Sequence, residues 1–414
     1  AARRRAQLAR PRRPLMRTAS AEGRALLFLH VRKTGGTSLG GALGNRFAAA
    51  ECLPLYDREP PSTGEVRAHR FVSGHLAGSF VSHFERPPVV VACLRDPLER
   101  TLSAYSYYRW FPERDYEVLR PQLGEAAYGR RVAAMRLARE RSLAELIAEA
   151  PELAREHFGN VQCAALAGAD AATAGEETLE AALADLERCD VVTLTERLEE
   201  SAGLLTRRLG WSSLGPLPRA KELDGRLRRD QLDASTVAAL ERLTELDREL
   251  HAQAIRRFER DLASGASGDL GAGLPDAPLL PDVSFDGPVR GGAWYGRERV
   301  AGGPWFAWIG QAGFAWVELA IPAGARTLAV EIPHVIEQPV LEALVVKVAE
   351  QVVPYELRPS GSGLLLTAPL PGGLTGDGVR VTLETPRLAR PCDVAQSEDR
   401  RRLSLAVSRM ALRS

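Results

Sequence analysis

Short apolar runs alternate with longer amphipathic stretches over the first 260 or so residues. Four of these runs have the length of strands: residues 26–31, 71–76, 88–94 and 189–194. Apolar runs of this kind predict strands buried on both faces of a parallel sheet. Residues 116–190 and 233–262 carry Ala, Leu, Glu and Arg at helical spacing, whereas residues 51–70 are broken by prolines and predict mostly loop. The alternation predicts an α/β domain over residues 23–262, a parallel sheet flanked by helices.

The pattern changes after residues 263–282, which are rich in Gly, Ser, Asp and Pro and predict a linker. Short runs separated by Gly and Pro turns follow, and they predict a smaller all-β sandwich domain over residues 283–414. Five strands are predicted there: residues 314–321, 328–332, 344–348, 379–383 and 403–407.

Four of the six tryptophans fall in this second region: Trp294, Trp305, Trp308 and Trp316. Such residues form either a platform on which sugars stack or part of an apolar core, and core packing is the commoner use.

Composition narrows the class of protein. A formal net charge of +1 with 26% charged residues offers no overall field for nucleic acid or an anionic membrane. No run of about 20 apolar residues predicts a transmembrane helix. The five cysteines contain no C-x-x-C pair, which favours a reducing compartment. We expect a bacterial cytoplasmic enzyme, either free or peripheral to a membrane. The sequence does not determine its oligomeric state.

The N-terminal end of the chain is interpreted separately. Residues 1–22 begin with seven arginines within seventeen residues and lack the apolar core of a signal peptide, so they predict a disordered basic arm. Because the sequence does not begin with Met, a missing N-terminal anchor or signal is not decided by it.

The stretch 26–39 combines a strand, a turn with Gly35 and Gly36, and the start of a helix at Thr37. A glycine turn before a helix N-terminus makes a cradle for an anion. Lys33 lies in this turn and is one of three lysines among 54 basic residues, which suggests that a compact ammonium is needed. The alternative is an ordinary connection carrying an exposed basic residue.

A second anion site is predicted where the strand 88–94 ends. Arg95 precedes Asp96, a good N-cap, and Pro97, a good first helical residue, and Ser103 lies two turns along the predicted helix. In the structural alternative, Arg95 pairs with Asp96 or Glu99.

His75 ends the strand that begins at Phe71, so its imidazole is predicted at the edge of the sheet where ligands bind in open α/β folds. It is either a base or an ordinary capping histidine, since position alone does not separate the two.

Two anion sites at neighbouring strand ends suit a nucleotide with separated phosphates. Lys33 precedes its glycines, unlike the lysine of the usual ATP loop, and the strand ends offer no obvious candidate for the usual acidic magnesium ligand. A metal-independent group transfer is therefore expected.

Residues 28–38 resemble the 5′-phosphosulfate loop of the glycan sulfotransferases, and residues 95–103 resemble their 3′-phosphate motif. With Ser73, Gly74 and His75, the similarity is to the heparan sulfate 2-O-sulfotransferase-like branch, over about residues 24–262. The resemblance implies a P-loop-like sulfotransferase fold, a carbohydrate or glycoconjugate acceptor, and 3′-phosphoadenosine 5′-phosphosulfate as the donor.

The same resemblance implies roles for individual residues. His75 would be the general base, and Lys33 would neutralise charge on the oxygen that joins sulfate to the nucleotide. The other donor contacts implied are Thr34, Gly35, Gly36, Thr37 and Ser38 for the 5′-phosphate, Arg95 and Ser103 for the 3′-phosphate, and Arg219 and Lys221 in a basic loop that closes over the donor.

Two positions depart from the family pattern. Arg32 replaces the proline usual before the lysine, and Ser73 occupies a position where relatives can carry a second histidine. The C-terminal region loosely resembles β-sandwich modules of bacterial glycan-modifying enzymes, which implies glycan binding, a structural role or oligomerisation.

Two other functions compete with sulfuryl transfer. A nucleotide phosphotransferase would need magnesium and an acidic ligand. A non-catalytic glycan-binding protein built on the β domain would not depend on Lys33 or His75.

Overall fold

The computed structural model describes residues 23–56, 61–111, 113–217, 225–310, 312–395, 397, 399 and 401–414. The predicted arm, residues 1–22, lies outside these ranges, as do Arg219 and Lys221 of the predicted basic loop.

A five-stranded parallel sheet organises the first half of the chain and confirms the predicted α/β arrangement. Its strands are β1 (Leu26–His30), β2 (Cys52–Leu55), β3 (Phe71–Gly74), β4 (Val89–Leu94) and β5 (Val191–Leu194). The order is β2-β3-β1-β4-β5, with every neighbouring pair parallel. After β1 the chain continues to β2 at one edge of the sheet, whereas after β4 it continues to β5 at the opposite edge. The edge beyond the carboxyl ends of β1 and β4 is therefore the topological switch point, where ligands bind in open α/β sheets.

Twelve helices of the described chain accompany this sheet. They are α1 (Gly36–Gly44), α2 (Thr63–Arg67), α3 (Pro97–Trp110), α4 (Glu113–Tyr116), α5 (Arg120–Glu140), α6 (Leu143–Glu149), α7 (Pro151–Phe158), α8 (Val161–Ala167), α9 (Glu176–Arg188), α10 (Leu198–Leu209), α11 (Ala234–Leu243) and α12 (Glu245–Ala263). Short 3₁₀ turns occur at Ala49–Glu51, Gly78–His83, Glu117–Leu119, Ala171–Thr173, Thr195–Arg197 and Arg229–Gln231.

Two local predictions were wrong. Residues 51–70 contain β2 and α2 rather than mostly loop, and β2 is an edge strand that tolerates Pro54. The predicted helix 233–262 is two helices. Asp233 caps the first as expected, but buried Thr244 leaves the helical conformation and its hydroxyl donates to the Leu240 carbonyl at 2.8 Å. A side chain that bonds to the backbone in this way competes with helix continuation.

The second half of the chain forms antiparallel sheets, as predicted. Its strands are β6 (Asp282–Ser284), β7 (Gly291–Gly292), β8 (Glu298–Arg299), β9 (Trp305–Trp308), β10 (Phe314–Ala320), β11 (Thr327–Ile332), β12 (His334–Val335), β13 (Val345–Val348), β14 (Gln351–Val353), β15 (Glu356–Ser360), β16 (Gly363–Pro369), β17 (Gly378–Glu384), β18 (Leu405–Val407) and β19 (Arg409–Arg413), with two short helices, α13 (Gln338–Glu342) and α14 (Pro391–Val394). The sheet orders are β14-β13-β17-β10-β7, β15-β16-β11-β19-β6 and β12-β18-β9-β8.

The five strands predicted for this region correspond to β10, β11, β13, β17 and β18. Both five-stranded sheets contribute side chains to one core, among them Trp316 from β10 and Met410 from β19. Trp294, Trp308 and Trp316 are buried, which is the core use favoured from the sequence. Trp305 is partly buried against the same core.

The predicted linker, residues 263–282, packs against the first half of the chain. Leu270 and Leu274 are buried in the core of the parallel sheet. Asp276 forms a 2.8 Å ion pair with the buried guanidinium of Arg46, which comes shortly after α1. The burial lowers the pKa of Arg46, and the Asp276 carboxylate opposes that shift. The proposed boundaries at 262 and 283 stay a prediction.

The β region is fastened to the end of α1. Arg297 is half-buried, and its Nη1 and Nη2 donate to the carbonyls of Phe47 at 2.8 Å and Asn45 at 2.9 Å. A cation that hydrogen-bonds carbonyls at a helix C-terminus also meets the negative end of the helix dipole. Val289 N–H donates to the same Asn45 carbonyl at 2.7 Å. The helix that follows the glycine turn is thus held by the second half of the chain.

Gly215 gives a test of this junction. It lies at φ 64°, and a Cβ there would come within 2.1 Å of the Trp316 ring. We expect Gly215→Ala to destabilise the protein by roughly 2–4 kcal/mol, because a buried indole must move and a left-handed backbone must accept a side chain. Thermal unfolding measures the loss. Gly225→Ala is the matched control, since φ is 73° there and no atom of the described residues lies within 4 Å of the added Cβ. Equal losses in both variants would show that Trp316 contributes nothing.

No helix in the described part of the chain combines the length and the apolar character needed to cross a membrane.

Candidate functional site

The turn after β1 is built by close backbone packing. Lys33 and Gly35 adopt φ values of 70° and 71°, and α1 begins at Gly36. A Cβ at Gly35 would meet Thr195 at 2.9 Å, and one at Gly36 would meet the His30 ring at 2.3 Å. The glycines are therefore required by two protein neighbours, in addition to any approach of a ligand.

Thr34 fixes the shape of this turn. It is fully buried, and both its N–H, at 3.4 Å, and its hydroxyl, at 2.8 Å, donate to the Val31 carbonyl. Its own carbonyl accepts from the Thr195 hydroxyl at 2.5 Å and from Cys93 Sγ at 3.1 Å. The three strands β1, β4 and β5 are thereby joined below the turn. Thr37 and Ser38 follow in the first turn of α1, where a helix has N–H groups without intrahelical partners.

Lys33 makes two contacts with the element that follows β4. Its Nζ lies 4.2 Å from the centre of the Tyr107 ring on α3, a cation–π arrangement. Its carbonyl accepts from Arg95 Nη1 at 3.1 Å. The two anion sites predicted separately from the sequence are therefore in direct contact.

Arg95 is held at both backbone and side chain. Gln162 accepts from the Arg95 N–H at 2.9 Å and donates to its carbonyl at 2.8 Å. Arg95 Nη2 lies 3.7 Å from Glu99, and Arg226 Nη2 donates to the same carboxylate. Part of the structural alternative, pairing with Glu99, is thus observed.

Charged groups of both signs surround Arg95. Burial, and then the neighbouring charge of Arg226, lower the pKa of Arg95, and Glu196 and Glu99 oppose this. The Nε atoms of Arg95 and Arg226 are both buried without a hydrogen-bond partner in the described chain. Two guanidinium groups that share one carboxylate and keep unsatisfied N–H donors suit an added phosphate.

Ser103 lies on the face of α3 that carries Glu99, one turn further on. Its neighbour on that face, Ser106, accepts from the N–H of Leu227 at 3.1 Å. The segment that contains Arg226 therefore runs beside Ser103. Ser103 is almost fully buried.

Gln162 is positioned in turn by a buried carboxylate. Asp247 accepts from the N–H groups of Gln162 at 3.0 Å and Cys163 at 2.8 Å, at the start of α8. Burial raises the pKa of Asp247, and the charge of buried Arg100 opposes that shift. Arg95 is thus supported through α8 by α12.

His75 follows β3 and lies among three side chains at the same sheet edge. Its ring centre is 5.3 Å from that of His30 and 5.2 Å from that of Tyr56. Arg32 Nε donates to His75 Nδ1 at 3.3 Å. His75 is therefore not an isolated capping histidine, and the unusual Arg32 is its partner.

Arg32 also affects the pKa of a second histidine, His157. It is buried, and burial followed by the charge of Arg32 lowers its pKa to about 4. The unfolded chain, with a pKa of about 6.5, binds more protons between these two values. Stability is therefore retained above pH 6.5 and lost as the pH falls toward 4, by up to about 3 kcal/mol.

We expect His157→Gln to reduce the loss of folding stability between pH 6.5 and pH 4. Denaturant unfolding of both proteins at pH 7 and pH 5 measures it. An identical pH dependence in the variant would contradict the assignment.

Four residues of the site were not found from the sequence: Thr195, Gln162, Arg226 and His30. Arg226 carried a signal, because it follows the predicted basic loop closely. His30 carried another as the last residue of an otherwise apolar strand. Thr195 and Gln162 hydrogen-bond to backbone groups of residues far away in the chain, so no local sequence pattern marks them.

No protein-family model and no curated protein matches the chain. Among the described residues, no group of three or more His, Cys, Asp or Glu side chains is arranged to hold a metal ion.

Proposed function

We propose that the protein transfers a sulfuryl group from 3′-phosphoadenosine 5′-phosphosulfate to a hydroxyl of a carbohydrate or glycoconjugate. In this proposal the parallel sheet is a P-loop-like sulfotransferase fold, and the later sheets form a β-sandwich accessory domain. The parts of the proposal that concern donor, acceptor and reaction come from the resemblance and from the chemistry of the site.

One observation carries the proposal. Arg32 and Lys33 are adjacent in the chain, and they contact His75 and Arg95 respectively. The turn after β1 thus touches His75 through the Arg32 side chain and Arg95 through the Lys33 carbonyl, at the switch point between β1 and β4. This grouping supports the proposed roles of His75 as base and of Lys33 and Arg95 as donor contacts. Chance clustering of basic residues does not predict a histidine in the same group.

The two phosphate groups of the donor are assigned to separate parts of the site. The first turn of α1, with Gly35, Gly36, Thr37 and Ser38, would hold the 5′-phosphate through N–H groups and the positive end of the helix dipole. Arg95, Arg226 and Ser103 would hold the 3′-phosphate. Thr34 would act by shaping the turn, and Arg219 and Lys221 remain proposed contacts of the closing loop.

In the reaction, the acceptor oxygen forms a bond to sulfur while the bond from sulfur to the bridging phosphate oxygen breaks. The electron pair of that bond stays on the 5′-phosphate, where Lys33 stabilises the developing charge. His75 takes the hydroxyl proton, because a neutral imidazole is a competent base near pH 7. The products are the sulfate ester and adenosine 3′,5′-bisphosphate.

The test is incubation of the protein with ³⁵S-labelled donor and a panel of oligosaccharides and polysaccharides. We expect labelled glycan and adenosine 3′,5′-bisphosphate in equal amounts, in EDTA as well as without it. Activity that requires magnesium and uses ATP would favour a phosphotransferase. Binding of glycans without product would favour the non-catalytic alternative.

A further inference from the structure

The hydrogen bond between Arg32 and His75 has a consequence for the proton. Guanidinium groups only donate, so His75 Nδ1 must be the unprotonated nitrogen in this contact. The neutral imidazole then carries its hydrogen on Nε2. Neither nitrogen is ready to take a proton from a hydroxyl, because one is protonated and the other is engaged.

The positive charge of Arg32 also opposes protonation of His75. When His75 takes a proton it becomes an imidazolium, and a guanidinium 3.3 Å away opposes a second positive charge. The structure places His30 at the end of β1 and Tyr56 after β2 against the same ring. Burial raises the pKa of Tyr56, so its phenol is neutral near pH 7. Arg32 is thus a charged neighbour of the His75 ring, whereas Tyr56 is not.

Arg32 also directly precedes Lys33, the residue proposed to contact the sulfuryl end of the donor. We infer that Arg32 is a positioning residue that blocks the base in the donor-free protein and moves to the sulfuryl oxygens when the donor binds. This inference rests on the proposed function. It assigns a purpose to the arginine that stands where the resembled family usually has proline.

The exchange balances without any further reactant. Arg32 gives up one hydrogen bond, to His75 Nδ1, and gains one to a sulfuryl oxygen, where its charge is neutralised. His75 Nδ1 then accepts the hydroxyl proton of the acceptor as the new sulfur–oxygen bond forms. The proton ends on Nδ1, and the electron pair of the broken bond ends on the 5′-phosphate oxygen.

The first experiment observes the imidazole directly. The full chain is labelled with ¹⁵N-histidine, and the His75 signal is assigned by its loss in His75→Asn. We expect the Nε2–H tautomer in the donor-free protein and a changed Nδ1 signal on addition of a non-hydrolysable phosphosulfate donor analogue. Adenosine 3′,5′-bisphosphate, which lacks the sulfuryl group, should leave the signal unchanged.

The second experiment uses pH profiles. In kcat/KM for the donor, the acid limb reports the donor-free protein, where Arg32 opposes protonation, and in kcat it reports the complex. Arg32→Ala should move the limb of kcat/KM up by about one pH unit and leave the limb of kcat in place. Donor KM should rise about tenfold, because one charge-assisted contact is lost. Arg32→Lys, which keeps the charge, should restore most of the difference, and Arg67→Ala, at an exposed ion pair, is the control.

The outcomes separate the two proposals. Failure of the donor to bind would contradict both. Donor binding and turnover with no response of His75 to the sulfuryl group, or equal shifts of both limbs in Arg32→Ala, would overturn the role of Arg32 alone.

Discussion

Replacing His75 with Ala is expected to lower kcat by at least about 100-fold while the dissociation constant of the donor changes less than about threefold. Loss of a positioned general base typically costs 10²–10⁴ in rate, about 3–5 kcal/mol. The donor is held by other groups, at Lys33 and Arg95. Turnover with labelled donor and calorimetric titration of the donor measure the two effects.

The variant His75→Asn sharpens this test. Its side-chain oxygen can still accept a hydrogen bond from Arg32, so the surroundings of the base are kept while the base is lost. We expect the same loss of turnover. His69→Ala, at a histidine whose Nδ1 contacts the nearby Glu65 carbonyl at 2.7 Å, is the control. A drop in donor affinity as large as the drop in kcat would contradict the assignment of His75 as the base.

Replacing Arg95 with Ala is expected to weaken donor binding by about 100-fold, about 3 kcal/mol, the range typical for truncating one partner of a buried charged contact. The larger effect should be on discrimination. The wild-type protein should bind 3′-phosphoadenosine 5′-phosphosulfate far more tightly than adenosine 5′-phosphosulfate, which lacks the 3′-phosphate. In Arg95→Ala the two affinities should become similar.

Two further variants locate this effect. Arg226→Ala removes the second guanidinium at Glu99 and should reduce the same discrimination. Arg188→Ala, at an exposed arginine on α9 that pairs with Asp185, should change neither affinity. If Arg95→Ala lost affinity for both nucleotides equally, Arg95 would be a structural support of Lys33 and not a contact of the 3′-phosphate.

The second half of the chain has a closer relation to the site than a separate module would have. Arg297 caps the carbonyls after α1, and Trp316 packs on Gly215, just before residues 218–224. Both contacts hold segments that lead into the proposed donor site. A role for the β region in positioning α1 is therefore as well founded as glycan binding.

Much of the local structure could be predicted because its causes are local. The buried run 88–94 became β4, Asp96 caps α3 by accepting from Glu99 N–H, and Leu98, Leu102 and Tyr105 are buried as their spacing predicted. Such features depend on side chains within about four residues of one another. The short strands of two or three residues, such as β7 and β8, were missed because too few residues are present to show a pattern.

The sequence by itself determined the alternation of strands and helices, the antiparallel character of the second half, the glycine turn around Lys33 and the capped start of α3. Only the tertiary structure decided which charged groups meet. Arg32 and His75 are 43 residues apart and Arg226 and Glu99 are 127 apart, and neither pair leaves a trace in local periodicity. Strand propensity, caps and turns are set by neighbours along the chain, whereas a partner for a buried charge is set by the order in which the strands pack. That order brings the ends of β1, β3 and β4 together, and with them Lys33, His75 and Arg95.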